Sequence, residues 1–151
     1  MPTPRENHDL AQCFGCGTDN PHGLHMHLEP GTDGVRARIP TSAGWVSWRG
    51  VTHGGLIATV MDEAMGWALA YQGFTGLTAR LSVRYLRPAA PGATLCVHAW
   101  VTRARHGVAQ ASAEVSDAGG SRLATADGLL RIVEDIAAVA PRPGDVTRPS
   151  S

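Results

Sequence analysis

Between positions 53 and 72 the chain reads His53-Gly54-Gly55-Leu-Ile-Ala-Thr-Val-Met-Asp62-Glu63-Ala-Met-Gly-Trp-Ala-Leu-Ala-Tyr-Gln72. Two features of this stretch could do chemistry. One is a pair of adjacent carboxylates, Asp62 and Glu63, inside an apolar run where an ionised acid is costly unless paired or functional. The other is the glycine pair at its start, where the first N–H groups of a helix have no partner within it. Without Cβ atoms, Gly54 and Gly55 let another molecule's carbonyl approach closely. Helix-start N–H groups can then stabilise negative charge developing on its oxygen. A glycine pair alone would make only a tight strand-to-helix turn; the nearby acid is what favours chemistry. Consecutive residues lie about 100° apart around a helix, so the two acids cannot share one environment. The plain structural alternative for Asp62 is a solvent-facing or salt-bridged carboxylate, with Arg80 or Arg84 as partner.

A second cluster, Cys13-Phe-Gly-Cys16, precedes His22, His25 and His27. Two Cys and two His could hold a tetrahedral zinc. The second ligand pair lacks the usual spacing, however, and His25-x-His27 in a strand would put both rings on one exposed face. The expectation is therefore no metal, and thioredoxin-like redox is disfavoured because no βαβ pattern surrounds the cysteines. A phosphate-cradling P-loop, a dinucleotide glycine fingerprint and the G-x-S-x-G elbow of serine hydrolases are all absent from the sequence.

These residues must be positioned by regular elements. Leu56, Ile57, Val60, Met61, Ala64, Met65, Ala68 and Leu69 repeat at helical spacing, and Ala58, Gly66, Trp67 and Ala70 fill much of the remaining circumference. A helix apolar on nearly every face belongs in a core. Gly73 to Gly76 should stop it. Before it, residues 24–28 and 35–39 alternate as short strands around the turn Gly31-Thr-Asp-Gly34; residues 40–52 form an irregular approach. After it, residues 77–87, 94–103, 108–116 and 122–133 read as strands with short links, which predicts an antiparallel meander. One buried helix needs a curved sheet to cover it. The expected class is α+β: one long central helix wrapped by a curved antiparallel sheet. Residues 13–135 would form this domain, with a loose arm at 1–12 and a Pro-rich disordered tail at 136–151.

The 151 residues suit one domain with a sizeable core. Thirteen basic and thirteen acidic residues balance, so no electrostatic footprint points to nucleic acid. Every basic residue among them is Arg. The N-terminus lacks the charged-then-apolar pattern of a signal peptide. The one long apolar stretch carries two adjacent acids, which makes it a poor membrane span. Three cysteines, an odd number, fit reduced thiols in a cytoplasm.

Thr52-His53-Gly54-Gly55 followed by Asp62-Glu63-Ala-Met-Gly66 resembles the signature of the hotdog-fold acyl-CoA thioesterases, of the phenylacetic-acid-pathway type related to 4-hydroxybenzoyl-CoA thioesterase. Cys13-Phe-Gly-Cys16-Gly with Asn20-Pro-His-Gly23-Leu resembles an N-terminal pattern of one branch. Thr78-Ala-Arg-Leu-Ser-Val-Arg-Tyr-Leu-Arg87-Pro88 resembles the strand after the helix. The likeness covers roughly residues 13–134. It implies a hotdog fold and hydrolysis of an acyl- or aryl-CoA thioester to free acid and coenzyme A, with no cofactor. It also assigns the catalytic position to Asp62, as general base on water or as nucleophile, and leaves Glu63 structural. Thr78 matches a position where a hydroxyl helps orient the attacking water. His53 has three readings, a helix-start hydrogen bond, a satisfied core histidine or a catalytic acid/base; the first two are favoured over proton transfer, and His53 could still orient the thioester or the glycine loop.

Gly54 and Asp62 are eight residues apart, about 12 Å along a helix. One thioester carbonyl cannot touch both within a single chain. If both act on it, helices of two subunits must lie antiparallel, with Gly54 and Gly55 of one facing Asp62 of the other. A homodimer is then the minimum and a homotetramer is expected; the resemblance likewise implies two sites at a symmetric interface. Arg84, Arg87, Arg103, Arg105 and His106, at strand ends and one turn, are candidates for the coenzyme A phosphates, which guanidinium groups suit. The alternatives are a non-catalytic acyl-CoA binder on the same fold and a hotdog enoyl-CoA hydratase or dehydratase. The latter needs a His and an acid converging on the acyl chain at a spacing unlike that of His53 and Asp62.

Overall fold

The computed structural model describes residues 10–136. Most of the expected arm and all but the first residue of the expected tail lie outside them. The elements run β1 (Glu29–Gly31), β2 (Gly34–Pro40), α1 (Gly54–Ala70), β3 (Thr75–Tyr85), β4 (Thr94–Arg105), β5 (Val108–Asp117) and β6 (Arg122–Val133), with a short 3-10 turn at Trp48–Gly50 before the helix. All six strands form one antiparallel sheet in the order β1-β2-β4-β5-β6-β3, and α1 packs across it. This is the hotdog fold that the resemblance implies.

The core lies between helix and sheet. Ile57, Val60, Met61, Ala64, Met65, Ala68 and Leu69 of α1 are buried with Val35, Ala37 and Ile39 of β2, Leu95, Val97 and Ala99 of β4, and Ala109, Ala111, Ala113 and Val115 of β5. Alternate small residues on β5 fit the period of a strand and let the helix approach the middle of the sheet closely. Gly73, in the left-handed conformation at φ 88, ends the helix as its position suggests.

Three expectations are corrected. First, residues 24–28 are not a strand. Leu24, Met26 and Leu28 do alternate into the core, but Leu24 N–H and Met26 N–H donate to Phe14 O and Gly15 O of the cysteine loop. The segment spends its backbone donors there and not on the sheet. Second, the four later strands are not a simple meander, because β3 pairs with β6 and not with β4. The link containing Pro88 and Pro91 crosses to the other side of β6 and β5; buried Ala89 accepts from Thr52 N–H on the way. Third, the helix is not covered on every side. Gly55, Thr59, Asp62, Gly66 and Ala70, spaced three or four apart, form a stripe that the sheet does not fully bury. The stripe lies beside β3, an eleven-residue edge strand.

Candidate functional site

His53 occupies the N-cap of α1 in an extended conformation, and its Nδ1 accepts the Gly55 N–H at 2.9 Å. This is the helix-start hydrogen bond among the three roles open to it. Gly55 N–H is therefore engaged within the chain. Gly54 N–H has no acceptor among the described residues, and it is the donor left at the helix start. The Tyr85 hydroxyl donates to Gly54 O at 2.6 Å and stands against the glycine's Cα, so it fixes the orientation of this turn. Sequence reasoning missed Tyr85. Its only signal is that it falls two residues after Val83 in a strand whose alternate residues face the helix.

Asp62 is half-buried on the open stripe, and its Oδ1 accepts the Thr78 hydroxyl proton at 2.6 Å. A hydrogen bond this short to a carboxylate is charge-assisted. Thr78 reaches it because β3 carries a bulge between Thr78 and Arg80. Positions 78 and 81 of a regular strand face opposite sides; the extra residue, Ala79, turns Thr78 to the helix side along with Leu81 and Val83. Arg80 and Arg84 point the other way, and no ion pair to Asp62 forms among the described residues. The salt-bridge alternative for Asp62 is not realised.

Glu63 turns to the other flank of the helix. Its Oε1 accepts Trp67 Nε1–H at 3.0 Å, one helical turn on, and Cys13 Sγ lies 3.6 and 3.7 Å from its two oxygens. Cys16 completes the group. The spacing of Glu63 and Trp67, i to i+4, was the available signal for the indole contact; nothing local announced the thiols. The three histidines go elsewhere. His25 Nδ1 meets Gly17 O at 2.8 Å, His27 lies 3.2 Å from Glu29, and the exposed His22 donates only its backbone N–H, to Asn20 Oδ1, among the described residues. Burial, and then the Glu63 carboxylate beside it, push the Cys16 thiol well above its ordinary range. Thiolate, the form that disulfide exchange needs, is disfavoured there.

The five basic candidates do not gather in one chain. Arg84 of β3 is level, through Thr125 and Glu114, with His98 of β4. Arg105 is seven residues further along β4 and three strands away, which puts it more than about 20 Å from Arg84. Arg84 and Arg87 thus lie at the Gly54 end of the molecule. Arg103, Arg105 and His106 lie at the Thr78 end, where His106 and Gly107, both at positive φ, make the tight β4–β5 hairpin. A cleft beside bulged Ala79 is lined by His106, Val108, Leu129 and Arg131.

Residues 49–124, which include Gly54, Gly55, Asp62 and Thr78, match the family model of the thioesterase superfamily. The chain belongs to the thioesterase superfamily. A crystal structure of a thioesterase superfamily protein, 28% identical, superposes with a TM-score of 0.70 over 75% of this chain and 59% of that one. The chain therefore spans well under two thirds of that relative's length. The Escherichia coli PaaI protein from the phenylacetic acid degradation operon matches at TM-score 0.67 and 20% identity, over 72% of this chain and 83% of its own. A hypothetical thioesterase from Streptococcus pneumoniae with coenzyme A matches at TM-score 0.67 and 18% identity, over 72% and 88%. Structures of that protein also exist with one aspartate, and with one threonine, changed to alanine. No curated protein sequence matches the chain. Among the described residues, no helix is long and apolar enough to cross a membrane.

Proposed function

We propose that this thioesterase-superfamily protein hydrolyses an acyl- or aryl-CoA thioester, in sites shared by two subunits. The observation that carries the reading is the Asp62–Thr78 pair on the uncovered stripe of α1, beside an edge strand with unpaired backbone groups. In the Streptococcus pneumoniae protein the substituted aspartate and threonine are 16 positions apart, the same separation as Asp62 and Thr78.

Thr78 donates to Oδ1, which leaves Oδ2 of Asp62 to take a proton from water. The water oxygen bonds to the thioester carbon, and the C–S bond then breaks. The departing coenzyme A sulfur recovers the proton from Asp62. Direct attack by Asp62 would give a mixed anhydride that water then opens, with the same products. In either case the carbonyl oxygen gains negative charge and needs a donor. Gly54 N–H is the available one, about 12 Å from Asp62 along its own helix and so supplied by a second subunit. Glycine, threonine and alanine on the stripe leave room for the second helix, and the β3 edges can pair across the same two-fold axis. That axis carries the partner's Arg84 and Arg87, which sit at its Gly54 end, toward the end where Arg103, Arg105 and His106 lie. Basic residues that are separated in one chain then flank one substrate.

A panel of acyl-CoA esters with a free-thiol readout tests the activity; coenzyme A binding without turnover on any ester would make the protein a binder and overturn it. A mixing experiment tests the shared site. Gly54→Pro removes one N–H at the first helical position, where proline is tolerated, and Asp62→Asn removes the base. Each variant alone should be nearly inactive. Co-refolded in equal amounts, they should recover about a quarter of the wild-type rate, because half the dimers then hold one intact site of two. No recovery would overturn the shared site, because two residues that act within one chain cannot complement each other in a mixed dimer.

A further inference from the structure

We propose that Cys13, Cys16 and Glu63 form a zinc site that ties the N-terminal loop to the central helix, distinct from the Asp62 centre. The Sγ atoms of both cysteines and a Glu63 carboxylate oxygen all lie within 4.8 Å of one another. Zinc bonds of about 2.3 Å to sulfur and 2.0–2.2 Å to oxygen, at a tetrahedral angle, put sulfur and oxygen about 3.6 Å apart. Cys13 Sγ stands 3.6 and 3.7 Å from the two oxygens of Glu63. No second ligand pair stands at zinc spacing along the chain; the fold supplies the third ligand from a helix fifty positions away.

The surroundings are built around this carboxylate. A Cβ on Gly15 would collide with Glu63, and one on Gly17 would collide with the backbone of Ala11 and Cys13. Gly17 N–H donates to Cys13 O at 2.9 Å, and Leu24 and Met26 clamp the loop through Phe14 O and Gly15 O. Trp67 holds Oε1 and the Cys13 thiol is within reach of both oxygens, as when an outer hydrogen bond orients a metal-binding carboxylate toward its ligand partners. Among the described residues no Arg or His pairs with Glu63. Among the described residues its neighbours are an indole and two thiols, and no cation is paired with this half-buried carboxylate there. On binding, both thiols release protons to solvent, and the dication neutralises two thiolates and the carboxylate, one negative charge remaining. Water or an external donor fills the fourth position.

The test uses the full chain. After stripping with a chelator under reducing conditions, zinc alone is added back and metal is counted after desalting. About one zinc per chain is expected, and Cys13→Ser/Cys16→Ser should bring it to background. Glu63→Gln should weaken binding at least about tenfold, and Asp62→Asn should leave it unchanged. Cobalt added to the wild type should give the intense visible bands of a tetrahedral site with sulfur-to-metal charge transfer. That spectrum decides the matter even where the serine variant fails to fold. A wild type that holds no zinc above background, a weak octahedral cobalt spectrum, or zinc retained by the double serine variant would each overturn the proposal.

Discussion

Asp62 accepts a hydrogen bond from Thr78 on the side of α1 that faces edge strand β3, whereas Glu63 accepts one from Trp67 and lies against Cys13 under the N-terminal loop. The two acids are neighbours in sequence and chemically alike. A rotation of about 100° separates them into surroundings with nothing in common. Asp62 has a neutral hydroxyl donor, lies on the incompletely buried stripe of the helix, and has no cation paired with it among the described residues. Glu63 has soft sulfur donors and an indole in a packed corner. A helix can thus carry two unlike sites in consecutive positions, because what fixes each is the strand or loop it meets.

Substitution of the two acids should separate them most. Asp62→Asn keeps the shape but removes charge and basicity, and kcat should fall by on the order of 10²-fold or more, as when a positioned general base is lost. Coenzyme A binding, followed by calorimetry, should change little. Glu63→Gln should lower kcat by less than about tenfold, since it acts through packing of the loop and not on the thioester. Near-normal turnover in Asp62→Asn, with loss in Glu63→Gln or His53→Ala, would reverse the assignment. Thr78→Val sharpens the contrast on the Asp62 side. It removes the hydroxyl at nearly constant volume and should cost about tenfold in kcat, roughly 1.4 kcal/mol, with KM little altered. An effect mainly on KM would mean that Thr78 binds substrate and does not orient Asp62.

A third acid supplies the ordinary case. Asp33, in the β1–β2 turn, is fully exposed, and the Arg36 guanidinium hydrogen-bonded to it holds its carboxyl down at about 2. Such a depressed carboxylate favours the folded state above its unfolded value near 3.8, and that contribution disappears as pH falls through about 2. Exposed pairs contribute little. Arg36→Ala should return the Asp33 titration, followed by NMR, toward 3.8 with no measurable change in turnover. A change in turnover would tie this distant turn to the site.

Much of the architecture was legible because it is written in local periodicity. The helix, the last four strands and the hairpin turns at Thr32-Asp33 and His106-Gly107 follow from spacing and turn residues. Asp62 stood out as an acid in an apolar helix; the resemblance pointed to Thr78 as a water-orienting hydroxyl, and its hydrogen bond to Asp62 was not anticipated. What stayed hidden depends on pairing. Residues 24–28 have a strand's alternation, but the partner that takes their donors is a cysteine loop. The reach of Thr78 depends on a one-residue bulge, and no composition rule marks Ala79 as the extra residue. The split of the basic candidates between two ends follows from strand order, which local pattern does not encode.

That strand order also bears on how the molecule is made. Strand β3 leaves the ribosome directly after the helix, yet among the described residues its partner in the sheet is β6, the last of the six strands to be synthesised. Pairings across such a separation form late, since the loop must be closed before any contact rewards it. A nascent chain can already have its helix while Thr78 still hangs unpaired. At about 5–20 residues per second, the span from Tyr85 to Val133 takes several seconds to emerge. Throughout that time residues 75–85 are an exposed strand without a neighbour, open to pairing with another unfinished chain. The ribosome-bound form is therefore more prone to aggregate than the finished subunit, and Asp62 acquires its hydroxyl partner only when translation of the domain is nearly complete.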